Sequence, residues 1–270
     1  GASSWMDNLK IRYSYGTAGN NNIPSGQTLQ TFKANATTWI SQGGTYWSAG
    51  NTMPNPDLKW ETTYSHNLGL DYSLWGGKVS GSVEVYKNNT KDLLIQFPTS
   101  GSGYKNQYRN MGETENKGLE ATLNLTVFQT KNAGLTISAN ASYNRNRVVT
   151  LGGLASIESE TSWASTEIGT DYLVQEGQPL GNMYGYQSDG FYTVEDFNYV
   201  DGKWVLKEGV VDASGIVGAN FLRPGARKYK DQPTVEVLDE EGNVIGYEGD
   251  GKLTVADKTI IGNAMADWTG

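Results

Sequence analysis

Apolar and polar residues alternate one for one along much of the chain, as in strands with one greasy and one wet face. Leu9, Ile11, Tyr13 and Tyr15 alternate with Lys10, Arg12 and Ser14. Leu68, Leu70, Tyr72 and Leu74 alternate with Asn67, Gly69, Asp71 and Ser73. Val79 to Val85, Leu119 to Val127 and Leu135 to Tyr143 repeat the pattern. Each run predicts a strand of about 8 to 11 residues, close to the length that crosses a bilayer. No comparable run shows helical spacing, and no internal repeat suggests a propeller or solenoid.

The gaps between these runs are 51, 3, 30 and 7 residues, and 125 residues follow Arg145. Long and short gaps take turns. In an up-and-down antiparallel sheet, alternate connections fall at opposite ends, so the short turns lie at one end and the long loops at the other. Transmembrane β-barrels are built this way. The predicted fold is therefore all-β: antiparallel up-and-down strands of a partial transmembrane β-barrel with long extracellular loops. Residues 1–145 hold the barrel strands and two long outer loops. Residues 146–270 form an acidic extracellular loop region with small hairpins, one around Asp201-Gly202 and one from Thr234 to Tyr247. A water-soluble β-sandwich gives the same alternation, so a soluble, secreted carbohydrate-binding β protein is the alternative. Loops this long are uncommon in compact soluble domains.

Composition narrows the chemistry. The chain has 270 residues, no Cys and one His. Disulfide scaffolds, thiolate metal sites and Cys nucleophiles are excluded. Residues 1–150 carry 13 Lys and Arg against 9 Asp and Glu, a net +4, so the remainder of the -8 total, about -12, falls on residues 151–270. The acidic half argues against nucleic-acid binding. No Walker loop, Rossmann fingerprint or nucleophile elbow is present, so no enzyme is expected.

Four collinear motifs resemble the SusC/RagA-type TonB-dependent outer-membrane transporters of Bacteroidetes. They are Asn55-Pro56-Asp57-Leu58-Lys59-Trp60-Glu61-Thr62, leading into Asn67-Leu68-Gly69-Leu70-Asp71; Asn110-Met111-Gly112-Glu113 with Asn116-Lys117-Gly118-Leu119-Glu120; Gly177-Gln178-Pro179-Leu180-Gly181 with Tyr184-Gly185-Tyr186 and Asp189-Gly190-Phe191-Tyr192; and Pro224-Gly225 and Lys228-Tyr229-Lys230-Asp231 with Asp257-Lys258-Thr259-Ile260-Ile261-Gly262-Asn263. The resemblance implies a large barrel with a plug, importing oligosaccharides or peptides with a SusD-like surface lipoprotein and TonB. It also implies a place in the cell outer membrane, in contact with its lipid. This stretch shows no plug or TonB box and holds about five strands. It reads as part of the barrel wall and outer vestibule, not transport-competent alone.

Candidate binding residues follow. Trp39, Tyr46 and Trp47 stand among Gly, Ser, Thr and Asn in the first loop, and Tyr104 and Tyr108 in the second. Aromatic faces with amide and hydroxyl neighbours suit stacking on sugars or peptides. The same aromatics would equally pack a loop on itself or form a girdle. The resemblance also implies a calcium loop after Tyr229-Lys230, interrupted here by a hairpin. Asp231, Asp250 and Asp257 are its candidate Ca²⁺ ligands, with Glu248 a further oxygen. No other cofactor is implied.

Overall fold

The computed structural model describes residues 5–37, 44–99, 101–162, 169–265 and 268–269. Its strands are β1 (Met6–Asn20), β2 (Phe32–Thr37), β3 (Gly44–Ala49), β4 (Thr52–Met53), β5 (Glu61–Leu74), β6 (Val79–Pro98), β7 (Asn106–Gln129) and β8 (Gly134–Thr150). There follow β9 (Ser156–Ser159), β10 (Tyr172–Gln175), β11 (Asn182–Tyr186), β12 (Ser188–Phe191), β13 (Phe197–Val200) and β14 (Lys203–Leu206). Last come β15 (Arg227–Tyr229), β16 (Val235–Leu238), β17 (Val244–Glu248), β18 (Lys258–Asn263) and β19 (Trp268–Thr269). Two compact units result. One takes residues 1–157, 174–180 and 265–270; the other takes 158–173 and 181–264.

The first unit is an antiparallel sheet in the order β1, β5, β6, β7, β8, β19. Short turns join β5 to β6 and β7 to β8 at one end. In the first of these, Trp75, Gly76 and Gly77 all take positive φ (55°, 68° and 77°). Glycine adopts that conformation without a Cβ clash, which lets the chain reverse in so few residues.

Register sorts the side chains into rows. Ile11 pairs with Leu70, Leu70 with Val83, Val83 with Ala121 and Ala121 with Ala141. One step along, Tyr13, Leu68, Val85, Leu119 and Tyr143 form the next row. Paired residues share a face, so one side of the sheet is apolar over five strands. Nothing among the described residues covers it: Ile11 is 73% and Tyr13 65% exposed. In β8 the apolar positions run from Leu135 to Tyr143, about 27 Å of strand at ~3.4 Å per residue. At a tilt of ~40° that spans roughly 20 Å, close to the ~25 Å apolar band of an outer-membrane barrel. Aromatics mark both limits. The Trp5 and Trp75 rings lie tilted against each other, 6.1 Å between centres, near the short turns, and Tyr13 and Tyr15 flank His66 at the other end. A soluble sandwich would bury this face against a second layer.

One expectation changes. Residues 88–117 are not a long loop: β6 and β7 run on as a paired hairpin, joined only by residues 99–105. Tyr108 therefore lies in β7, not in a loop. In the first loop, Gln30, Thr52, Met53 and Asn55 all contact this hairpin. Thr52 and Met53 pair in parallel with Asn106 and Gln107.

The second unit has its own small core of Tyr192, Phe197, Ala213 and Leu253. The Tyr192 hydroxyl donates to the Val211 carbonyl at 2.6 Å, so its buried polar end is satisfied. β18, β11 and β10 form a sheet, with β9 at its edge. Both expected hairpins form. β13 pairs β14 across Asp201-Gly202, both at positive φ as a primed turn requires, and β16 pairs β17.

Candidate functional site

The face opposite the apolar rows carries the polar chemistry. Arg12 donates from Nε and Nη2 to the two carboxylate oxygens of Asp71, each at 2.8 Å, and Nη2 also reaches Glu84. Asn67 donates to the other oxygen of Glu84 at 3.2 Å. The cation is thus matched by two acids on one side of the sheet. Beside this cluster lies an open recess of about 590 Å³, bordered by Asn67, Glu84, Tyr86, Asn88, Asn116 and Asn144. Its Tyr86 ring lies across Gly118 and donates to Asn144 at 3.1 Å. The recess offers amide donors and acceptors, two acids and one aromatic face. The polar parity of β5 to β8, continued past the predicted strand ends, was the signal for it in the sequence.

The second unit holds a cavity of about 560 Å³ between Tyr184, Tyr186, Tyr229, Met183 and Ile261. Lys258 Nζ donates to the carbonyl and hydroxyl of Thr170 at 3.2 and 3.1 Å. It stands 5.7 and 5.9 Å from the ring centres of Tyr184 and Tyr186. Tyrosine rings beside a fixed ammonium suit a ligand with both apolar and hydroxyl or carboxylate groups. Its lining includes Tyr184, Gly185 and Tyr186 of the third motif and Tyr229, Lys258 and Ile261 of the fourth, but the motifs themselves mark no cavity, because it is assembled from segments up to 91 residues apart.

The loop aromatics fare differently. Trp39 lies outside the described residues. Tyr46 and Trp47 are neighbours in β3, so they face opposite sides of the β2–β3 ribbon; Trp47 shares its side with Phe32, and Tyr46 with Asn35. Trp47 is 68% exposed. Tyr104 is engaged within the protein: its hydroxyl donates to Gln30 Oε1 at 2.5 Å, tying the first loop to the β6–β7 tip.

Two of the sequence motifs meet. Asn110 accepts from the Lys59 N–H at 2.9 Å and donates to the carbonyls of Lys59 at 2.8 Å and Asp92 at 2.7 Å. Asn55 donates to the Tyr108 carbonyl at 2.8 Å. Lys59 also pairs with Asp92 at 2.9 Å. These residues hold the first loop on the hairpin.

Of the expected calcium ligands, Asp257 and Asp250 both lie near enough to Asp231 to act on its carboxyl. Asp231 accepts from the Gly251 N–H at 2.7 Å, Asp250 from Lys252 at 2.8 Å, and Asp257 from Gln232 and Thr254 at 2.9 and 2.7 Å. Burial and the neighbouring Asp257 and Asp250 push the Asp231 carboxyl up, against the Gly251 hydrogen bond. Burial opposes ionisation of Asp257 too, but the Thr254 and Gln232 amides outweigh it and hold that carboxyl below its usual range. Oδ1 of Asp231 is buried with no partner. Among the described residues, no group of three His, Asp or Glu side chains is placed to hold a metal ion.

The family described as TonB dependent receptor-like, beta-barrel matches residues 1–268. TonB-dependent receptor P39 of Formosa agariphila is 29% identical over 97% of this chain and 24% of its own length. TonB-dependent receptor SusC of Bacteroides thetaiotaomicron is 27% identical over 78% of this chain and 21% of its own length. Among solved structures, the RagAB peptide importer in its closed-closed state aligns with a TM-score of 0.68 and 23% identity, over 98% of this chain and 24% of that one. The chain spans about a quarter of the length of the curated relatives it matches.

Proposed function

Since the chain belongs to the TonB-dependent receptor β-barrel family of the outer membrane, we propose that it forms wall and outer vestibule of an importer of oligosaccharides or peptides. The observation that carries this reading is the two-faced sheet: uncovered apolar rows on one side, and on the other a matched ion cluster with an amide-lined recess. A lipid-facing wall needs the first, and a watery lumen or a plug surface needs the second. In the Arg12 cluster one cation is shared by two acids, a net charge of -1, so the charged groups that line the lumen are already engaged with one another and hold a polar cargo only weakly.

The tyrosine cavity and the Trp47 side of the β2–β3 ribbon supply cargo contacts in the vestibule. In this reading TonB and a SusD-like lipoprotein are partners of the whole protein, as implied by the likeness to SusC and the RagAB importer. Deleting the parent gene and following uptake of labelled peptides and maltooligosaccharides, with and without TonB, tests the function. One cargo class should lose TonB-dependent uptake; unchanged uptake of both would remove the importer reading for these classes.

We also propose that Asp231, Asp250 and Asp257 close on a hard cation when one binds; among the described residues no three carboxylates stand close enough together to hold one. The support is the buried, unpartnered Oδ1 of Asp231 beside two more carboxylates. Calcium there would replace mutual repulsion by oxygen coordination, and the chain's own part is to hold the three acids in place through the Gly251, Lys252 and Thr254 amides.

A further inference from the structure

On the apolar side of the sheet, one row breaks the pattern. The row above Tyr13, Leu68, Val85, Leu119 and Tyr143 consists of Tyr15, His66, Lys87, Lys117 and Arg145. Three cations thus stand on successive strands, ~4.8 Å apart. Like charges directly opposite one another destabilise a sheet, so the arrangement calls for a counter-charge. Glu115, one row further, supplies only one: it is 2.6 Å from Lys87 and 3.5 Å from Lys117. Arg147 sits opposite Glu115 in register. Arg145 and Arg147 are exposed and make no ion pair among the described residues. Shallow recesses open beside the row: one of about 360 Å³ at Tyr15, Lys87 and Lys91, the other of about 300 Å³ at Lys117, Arg145 and Arg147.

We propose that this row binds the phosphate groups of an anionic lipid in the outer leaflet, whose acyl chains lie on the apolar rows below. Continuity decides the occupant. The cations follow the same side-chain parity as Leu119, Val85 and Ile137, so they stand at the edge of the surface that meets hydrocarbon. They lie toward the long-loop end, which in such a barrel is the outer end. A soluble anion would gain nothing from the apolar rows. The opposite face makes the contrast: there Arg12 is already matched by Asp71 and Glu84. Tyr15 and His66 in the row itself and Tyr13 in the row below form the interfacial belt, with Tyr13 and His66 hydrogen-bonded at 2.9 Å. The inference rests on the barrel's place in the outer membrane, not on its cargo.

The test uses the full-length protein in detergent and native mass spectrometry with three probes: phosphorylated lipid A, the same lipid dephosphorylated, and inorganic phosphate. The variant carries Lys87→Gln, Lys117→Gln, Arg145→Gln and Arg147→Gln; the control carries Lys203→Gln and Lys252→Gln in the second unit. Phosphorylated lipid A should bind the variant about tenfold or more weakly than wild type, with the control unchanged and cargo uptake intact. If the fourfold variant does not fold, Arg145→Gln with Arg147→Gln, which breaks no ion pair, should still weaken binding several-fold. Equal retention by variant and wild type overturns the proposal. So does equal binding of the dephosphorylated lipid, or inorganic phosphate binding as tightly as the lipid.

Discussion

The side chain of Asn110 brackets the backbone of Lys59, accepting from its N–H at 2.9 Å and donating to its carbonyl at 2.8 Å. A side-chain amide thereby does the work of a neighbouring strand, at a place where the chain leaves its loop and enters β5. The two residues are 51 apart, and each lies in one of the motifs by which the sequence resembles its family.

Asn110→Ala removes three hydrogen bonds at once, leaving backbone groups of Lys59 and Asp92 without partners. At ~1 kcal/mol or more for each lost bond, local opening should become at least tenfold easier. Hydrogen exchange of the segment 55–61 should accelerate by that factor in the full-length protein, while the segment 135–143 stays protected. Unchanged exchange at 55–61 would show that the loop is held by other contacts.

Ile11 faces the apolar side and Ser82 the polar side, one row apart. Ile11→Lys should cost about 2–4 kcal/mol of folding stability in lipid vesicles, the range for a charge near the bilayer centre. Ser82→Lys should cost little, because it enters the wet face near Asp71. Equal losses in a urea titration would mean that the two faces see the same medium.

Gly118 has no room for a side chain. A Cβ there would stand 2.3 Å from the Tyr143 carbonyl oxygen and 2.6 Å from the Tyr86 hydroxyl. Gly118→Ala should destabilise the barrel by roughly 1–3 kcal/mol. Tyr86→Phe, which loses only the bond to Asn144, should cost about 0.5–1.5 kcal/mol. The reverse order in an unfolding titration would contradict the close approach.

Tyr46 and Trp47 point to opposite sides of their ribbon. Cargo resting on the Trp47 and Phe32 side should feel Trp47→Ala, with affinity reduced about tenfold as for loss of one stacked aromatic, and should ignore Tyr46→Ala. Equal losses from both variants would count against a one-sided contact.

Asp231 has its carboxyl pushed up by burial and by Asp257 and Asp250. A raised carboxyl contributes stability that is full below its unfolded pKa and is lost as pH rises through the folded value. In calcium-free buffer at neutral pH, Asp231→Asn should therefore raise the melting temperature, and the gain should shrink as pH falls through the raised folded value and be gone below the usual carboxylate range. Added calcium should raise the wild-type melting temperature and leave Asp231→Asn unmoved. A wild-type melting temperature indifferent to both calcium and chelator would remove the cation from the site.

How far the sequence reaches differs along one strand. Between Leu119 and Val127 the alternation is plain, because hydrocarbon lies on one side of the sheet and water on the other. From Asn106 to Lys117 the same strand was invisible. Beyond the bilayer both faces meet water or protein, so side chains need not alternate, although the backbone ladder continues to Asn106. That is why residues 88–117 read as a loop and fold as a hairpin. The turn at Asp201-Gly202 was legible for the opposite reason: positive φ at both positions is a local demand that few residues meet.

The candidate sites divide along the same line. Residue type alone marked Trp47 and Tyr104 as aromatic contacts, but the pairing of Tyr104 with Gln30 depends on two loops meeting. The apolar and polar faces of each wall strand and the family were written in the local order of residues, since strand parity is a two-residue rule. The bracket on Lys59, the tyrosine cavity and the cationic row arise from register between strands. Register sets which distant residues become neighbours, and it is chosen by the packing of whole faces rather than by any short segment of chain.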